Sequence, residues 1–74
     1  MENVKDIVAR NVREARLKVG LSQEELADRA GIDRTYASGI ERAVRNPTIT
    51  VLAKLAAALG LRASELLVDH RATR

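Results

Sequence analysis

Two helix start signals stand close together in the segment SQEELADRAGIDRTYASGIER, residues 22–42. Ser22 and Glu25 form the pattern S-x-x-E, in which each side chain accepts a hydrogen bond from the other residue's backbone amide at a helix start. Gly31 ends that helix, and Asp33 is a favourable N-cap for a second one. Two helices joined by so short a connection that contains glycine form a helix-turn-helix arrangement, which we predict for this segment.

Apolar residues in the rest of the chain recur at helical spacing and do not alternate. The first helix carries one apolar stripe that ends before Gly20: Val4, Val8, Val12, Ala15 and Val19. We expect helices over residues 4–19, from Ser22 to Gly31, over residues 34–42, from Thr48 or Thr50 to Gly60, and over about 63–68. The last helix has the weakest start, because Arg62 is a poor N-cap. With aromatic residues at 1% of the chain, the predicted fold class is all-α.

The length and the residue types limit what the chain can be. At 74 residues it has the size of one domain, residues 1–74, and its marginal stability favours self-association. It has no Cys and a single His, His70, which excludes disulfides and thiolate metal sites. No stretch approaches the roughly 18 apolar residues of a membrane span, and the early acidic residues are unlike a secretory signal. We therefore expect a soluble, cytoplasmic protein.

No arrangement of residues typical of an active site is visible. There is no Gly-rich phosphate loop, no metal-ligand spacing and no supported pair of nucleophile and base, so we expect neither an enzyme nor a metal or cofactor site. The net charge is +3 and the sequence pI is about 10.0, and arginine dominates the cations. These charges allow a polyanionic partner, but they are equally consistent with a hydrated surface.

The predicted third helix separates apolar from polar side chains. At about 100° per residue, one side carries Tyr36, Ala37 and Ile40, and the other carries Arg34, Thr35, Ser38 and Arg42. Short hydrogen-bonding side chains at the start of the second helix of such a pair can read base edges in the major groove of DNA. The alternative is a face that is only hydrated. Gly39 costs about 1 kcal/mol relative to Ala, which close approach to another surface or close helix packing would offset.

Three blocks, GLSQEELADRAG, IDRTYASGIERAVRNPT and LAKLAAALG, occur in this order within roughly residues 8–68. They resemble the lambda-repressor-like, or Cro-type, helix-turn-helix regulators. The short chain and the run DRTYASGIER are most similar to the small controller proteins of restriction–modification systems. The resemblance implies a compact five-helix DNA-binding domain that acts as a homodimer on an inverted-repeat operator. Repression and activation are both open, because the choice depends on where the operator lies.

The resemblance also implies roles for individual residues. Arg34, Thr35 and Ser38 would face base edges. Backbone phosphates would be contacted by residues around them: Gln23, which would also assist base reading, Tyr36, Arg45 and Asn46. Arg16 and Glu41 would form a structural ion pair, since a half-buried carboxylate needs a partner.

The chain departs from the family pattern at two places. Ala37 stands where a larger aliphatic residue is usual, so the core under the third helix is expected to be either looser or filled by side chains from elsewhere. Ala43 and Val44 stand where a glycine and a basic residue are usual. This puts the C-terminal cap of the third helix in question and removes one expected phosphate contact.

The segment of residues 60–68 is rich in leucine for its length. If the fifth helix is only one or two turns long, one protomer cannot cover all of these side chains, and we expect a two-fold dimer through Leu61, Leu66, Leu67 and Val68. The alternative is that the segment folds back and buries them. The expected partners are double-stranded DNA with a palindromic site and a second copy of the chain, and RNA polymerase is retained as a candidate.

A second function remains open, which is a protein-interaction module, such as an antitoxin or adaptor, that uses the same fold. In that case the polar face of the third helix would meet a protein. The two functions differ in the salt dependence of binding, because neutralising phosphates releases counterions.

Overall fold

The computed structural model describes residues 3–71, which form four α-helices and one short 3₁₀ helix. In chain order they are α1 (Val4–Val19), α2 (Gln23–Ala30), α3 (Arg34–Glu41), α4 (Ile49–Leu59) and the 3₁₀ helix (Ala63–Leu67). The prediction of an all-helical fold with a helix-turn-helix pair is confirmed. The helix α3 ends at Glu41, one residue before the predicted end, and Arg42 is its C-cap.

The predicted capping box starts α2. The Ser22 hydroxyl accepts from the Glu25 backbone amide at 3.0 Å, and Glu25 Oε1 accepts from the Ser22 amide at 2.9 Å. Hydrogen bonding to Ser22, first to its backbone amide and then to its hydroxyl, holds the pKa of the Glu25 carboxyl below its usual value. The box satisfies two backbone donors that the first turn of a helix leaves without partners.

Side-chain caps also start the two following helices. Asp33 Oδ1 accepts from the backbone amides of Thr35 at 2.6 Å and Tyr36 at 3.4 Å. At the start of α4, the Thr48 hydroxyl accepts from the Val51 amide at 3.1 Å. Of the two threonines that the sequence left open, Thr48 is therefore the cap.

The short fifth helix expected over about residues 63–68 is present, but as a 3₁₀ helix of five residues and not as an α-helix. The start of this helix is stabilised by one half of a capping box, in which Glu65 Oε1 accepts from the Arg62 amide at 2.8 Å. The Arg62 side chain has donors and no acceptor, so it cannot cap the backbone amides that follow. A segment this short and weakly capped takes the tighter hydrogen-bonding pattern, as the bond from the Glu65 amide to the Arg62 carbonyl shows.

The core lies between α1, α2 and α4. The helix α3 packs against α1 and α2, and the 3₁₀ helix packs against α1 and α4. Its buried members are Val8, Val12, Leu21, Leu26, Ala30, Ile40, Leu52, Leu55, Ala56, Leu59 and Leu66. The expected stripe on α1 is only partly correct, because Val4 and Val19 at its two ends are more than half exposed. They lie in the terminal turns of α1, beyond the middle turns that the other helices cover.

The helix α1 connects the helix-turn-helix pair to the C-terminal elements, which are α4 and the 3₁₀ helix. It packs against α3, against α4 and against the 3₁₀ helix, while α2 packs against α3 and α4. Within residues 3–71, no helix is both long enough and apolar enough to cross a lipid bilayer.

Candidate DNA-binding surface

The first residues of α2 and α3 meet at one shallow depression on the surface. Gln23 comes from the start of α2, and Arg34, Thr35 and Ser38 come from α3. Arg34 and Thr35 are exposed, and Gln23 and Ser38 are half-buried. The fold thus brings together four of the seven side chains that the resemblance assigned to DNA, although Gln23 is distant from the others in sequence.

The first turns of two helices therefore border the same depression. The N-terminal end of a helix carries a partial positive charge, which favours an anion, although side-chain caps already bind the amides of Glu25, Thr35 and Tyr36. The guanidinium of Arg34 adds a full positive charge and can donate two hydrogen bonds to phosphate or to guanine. The chemistry of this surface is that of a site for a polar, negatively charged partner with hydrogen-bond acceptors.

Under this surface lies the expected pair of Arg16 and Glu41. Arg16 Nε donates to Glu41 Oε2 at 2.7 Å, and Nη2 donates to Oε1 at 3.0 Å. The two side chains are 11% and 2% exposed, so the pair is nearly dry. Arg16 Nη1 also donates to the Leu21 carbonyl at 2.8 Å. The pair thereby ties α1 both to α3 and to the residues that lead into α2.

Of the other three assigned residues, two lie in the loop after α3, and Tyr36 lies on α3 and contacts that loop. Arg45 and Asn46 are exposed in this loop, and Tyr36 is half-buried. The Tyr36 hydroxyl donates a long hydrogen bond of 3.4 Å to the Asn46 carbonyl. In this state the hydroxyl proton holds the chain's own loop, so a phosphate contact by Tyr36 requires that bond to be exchanged.

Gly39 is explained by the same loop. A Cβ atom added at Gly39 would lie 2.6 Å from Arg45 Cγ, with the Val44 side chain at 3.6 Å. Such an approach is well inside van der Waals contact, so any larger residue would push Arg45 away. The close approach that offsets the glycine is therefore made by the chain's own loop, and neither another helix nor DNA is needed to account for it.

The end of α3 keeps a regular cap even though it has no glycine there. The Ala43 amide donates to the Ile40 carbonyl and the Val44 amide donates to the Gly39 carbonyl, both at 3.0 Å. These two bonds are the Schellman pattern. Ala43 reaches it with a φ of 62°, a left-handed conformation that costs an L-residue about 1–2 kcal/mol. The cap geometry that the sequence put in question is thus present, at the expense of strain at Ala43.

The four residues expected at a dimer interface are divided between the core and the surface. Leu66 has no exposed area and is part of the protomer core, so it cannot add area to an interface; here the fold-back alternative is correct. Leu61 is half-buried. Leu67 and Val68 remain 47% and 39% exposed, and they are the apolar side chains that this segment leaves uncovered.

Asn11 is a structural residue that the sequence reasoning missed. It lies on the buried side of α1, and its Nδ2 donates to the Leu66 carbonyl at 2.9 Å and to the Val68 carbonyl at 2.8 Å. Arg10 adds an ion pair of 3.3 Å with Asp69. The available signal was an amide placed three residues after Val8, inside an otherwise apolar stripe. Within residues 3–71, no cluster of three acidic or histidine side chains could hold a metal ion.

Comparison with known proteins assigns the chain to a family. A family model described as helix-turn-helix matches residues 12–66. A hypothetical transcription factor of Neisseria meningitidis is 43% identical over 67 residues, covering 90% of this chain, which spans 63% of that protein's length. The control protein C.SmaI of Serratia marcescens is 45% identical over 65 residues, 88% of this chain and 77% of that protein.

A solved structure shows the same likeness in three dimensions. The restriction–modification controller protein C.AhdI from Aeromonas hydrophila superposes with a TM-score of 0.81 and 42% identity, over 84% of this chain and 94% of that one. The chain belongs to the helix-turn-helix family of DNA-binding regulators, a family that binds double-stranded DNA and is not enzymatic.

Proposed function

We propose that this protein is a transcription regulator of the restriction–modification controller type, which binds an inverted-repeat operator as a homodimer. The observation that carries the proposal is the depression at which Gln23, Arg34, Thr35 and Ser38 meet. It combines two helix N-termini with exposed donors on the face of α3 that points away from the core. The likeness to C.SmaI and C.AhdI supports the controller type.

The side chains of this surface divide by the chemistry that they offer. Arg34 can donate two bonds to guanine O6 and N7, and the Thr35 methyl can contact the methyl group of thymine. Ser38, one turn further along α3, donates or accepts a single bond. We assign these three to base reading, and we assign Gln23, Arg45 and Asn46 to the phosphates that fix the register of the protein on the duplex.

The dimer is proposed to form through the exposed apolar residues Leu67 and Val68, with Leu61 at the edge. A two-fold axis through this segment would place the α3 helices of the two protomers on half-sites about 34 Å, or a multiple of it, apart. Leu67→Asp is expected to give a folded monomer in sedimentation equilibrium and a large loss of operator affinity, because Leu67 is 47% exposed in the protomer. Leu17→Asp is the matched control, since Leu17 on α1 is 56% exposed. A dimer that survives Leu67→Asp would place the interface elsewhere.

Selection of binding sites from random duplex DNA tests the proposal as a whole. The expected result is a palindrome with one fixed spacing between half-sites. Affinity for the recovered site should fall steeply with salt, with a log–log slope of about −0.9 for each phosphate contact. No enrichment, together with salt-independent binding to a protein, would instead favour the protein-interaction module, in which the polar face of α3 meets a protein surface. RNA polymerase is a further candidate partner, which binding of the protein–operator complex to the purified polymerase would test.

A further inference from the structure

A hydrogen bond connects the exposed depression to the buried ion pair beneath it. Gln23 Nε2 donates to Glu41 Oε1 at 3.1 Å, across 18 residues of sequence. Glu41 Oε1 also accepts from Arg16 Nη2 at 3.0 Å. One carboxylate oxygen is therefore shared between the pair and Gln23, and of these three side chains only Gln23 lines the depression.

The acceptor in this bond is held in place from several directions. The Glu41 side chain is 2% exposed and is clamped by two bonds from Arg16. Arg16 is itself fixed by its bond to the Leu21 carbonyl, two residues before Gln23. A side chain that donates to so constrained an acceptor loses much of its rotational freedom before any ligand binds.

We propose that Glu41 is a positioning residue for DNA contact. It holds the Gln23 carboxamide in the orientation in which the second N–H of that group meets a backbone phosphate. This inference rests on the proposed function, which places Gln23 at the DNA. The carboxamide has two N–H donors, and the bond to Glu41 engages one of them. The second N–H is left to donate to a phosphate oxygen, and its direction is fixed because the amide group is planar.

Fixing Gln23 in advance raises affinity without adding a contact to DNA. An exposed glutamine loses rotamer freedom when a ligand immobilises it, and a side chain that is already ordered avoids that loss on binding. The ion pair also reduces the repulsion between the Glu41 carboxylate and DNA. A bare carboxylate close to a polyanion would repel it, whereas the Arg16 guanidinium compensates the Glu41 charge through two short bonds.

The first test needs no variant. Gln23 is the single glutamine of the chain, so its side-chain amide signal can be assigned without ambiguity in ¹⁵N NMR spectra. The proposal predicts that the Nε2 group is nearly as ordered as the backbone, with an order parameter approaching about 0.85 in the protein without DNA. A value below about 0.6, typical of flexible groups, would overturn it.

The second test is a double-mutant cycle with Glu41→Asp and Gln23→Ala. Aspartate keeps the charge for Arg16 but withdraws the carboxylate by one methylene group, so the bond to Gln23 is lost. We expect Glu41→Asp to weaken binding to a short duplex of mixed sequence, at low salt, by about threefold to tenfold. In the Gln23→Ala background the same change should alter the affinity less than about twofold.

The outcomes separate the positioning role from the site assignment. A general loss of stability would reduce the affinity equally in both backgrounds, and equal losses would therefore overturn the positioning role alone. If Gln23→Ala by itself binds the duplex with the affinity of the unchanged protein, Gln23 does not contact DNA, and both that assignment and the inference fail. The fraction of folded protein is measured for each variant by circular dichroism at the binding temperature.

Discussion

The helix α1 holds two separate parts of the molecule through two largely buried polar side chains, Arg16 and Asn11, and these two attachments differ in charge. A more exposed ion pair of Arg10 with Asp69 adds to the second. Arg16 reaches the candidate DNA-binding surface through Glu41, with both partners ionic and 11% and 2% exposed. Asn11 reaches the C-terminal segment through the carbonyls of Leu66 and Val68, with both partners neutral. One attachment is thus a buried ion pair, and the other is an amide that gives both hydrogens to backbone oxygens.

The difference follows from what each part exposes. A buried ion pair is costly to desolvate and is strongly destabilising when one partner is removed, but here it also supplies a fixed acceptor for a side chain at the polar surface. The C-terminal segment instead exposes Leu67 and Val68. The neutral Asn11 amide satisfies the Leu66 and Val68 carbonyls, and the charges of Arg10 and Asp69 lie beside it in a more exposed pair. The candidate DNA-binding surface is thus supported by a nearly dry ion pair, whereas the buried attachment of the proposed apolar interface is a neutral amide.

The largest expected effect on stability distinguishes the core residue Leu66 from Leu67, which lies at the proposed dimer interface. Leu66→Ala should lower the free energy of unfolding by about 3 kcal/mol, because it opens a cavity in the core. Leu67→Ala, one residue further, should change it by less than about 0.5 kcal/mol when the protein is monomeric. Urea denaturation at low protein concentration measures both. Equal losses would show that the two leucines do not differ in burial.

The hydrogen bonds of Asn11 should contribute somewhat less to stability than the burial of Leu66. Asn11→Ala leaves the Leu66 and Val68 carbonyls without their donor and should lower the free energy of unfolding by about 2 kcal/mol. Asn46→Ala, in an exposed loop, is the control and should change it by less than about 0.5 kcal/mol. If the two variants denature at the same urea concentration, Asn11 does not hold the C-terminal segment.

A smaller change in the free energy of unfolding is expected at the C-terminal ends of α3 and α4. At the end of α3 the substitution should stabilise the protein. Ala43, which follows the C-cap of α3, has a φ of 62°, whereas Gly60, which follows α4, has a φ of 73°. Ala43→Gly should raise the free energy of unfolding by about 1 kcal/mol, because glycine adopts this conformation without strain. Gly60→Ala should lower it by a similar amount. Thermal melting of both variants checks the signs, and a destabilised Ala43→Gly would contradict the strain.

The local features of this fold could be predicted from the sequence. The box of Ser22 and Glu25, the cap at Asp33 and the stop at Gly31 depend on residues within one turn of each other, and all three are found. The short fifth helix was also predicted, but its 3₁₀ type was not, since the poor cap at Arg62 indicated a weak start and not which hydrogen-bonding pattern follows.

The contacts between distant segments could not be obtained in this way. Periodicity placed Leu66 and Leu67 in one leucine-rich run, but only the packing against α1 decides that the first is buried and the second exposed. The resemblance supplied the pair of Arg16 and Glu41, which the structure contains. Nothing in the pattern indicated that Gln23 bonds to the same carboxylate, because that contact depends on how α2 and α3 are set against each other.

Parallel selection from random DNA with the unchanged protein, Arg34→Ala and Arg62→Ala tests most directly whether α3 reads the bases. Both variants lose one exposed arginine, so their net charge is equal. Arg34→Ala should weaken binding to the cognate site by about 1–3 kcal/mol and relax the preference at one base pair in each half-site, since a bidentate arginine contact discriminates by that amount. Arg62→Ala should keep the full preference. If Arg34→Ala selects the same site with undiminished affinity, α3 does not read DNA through Arg34, and the assignment of this surface is wrong.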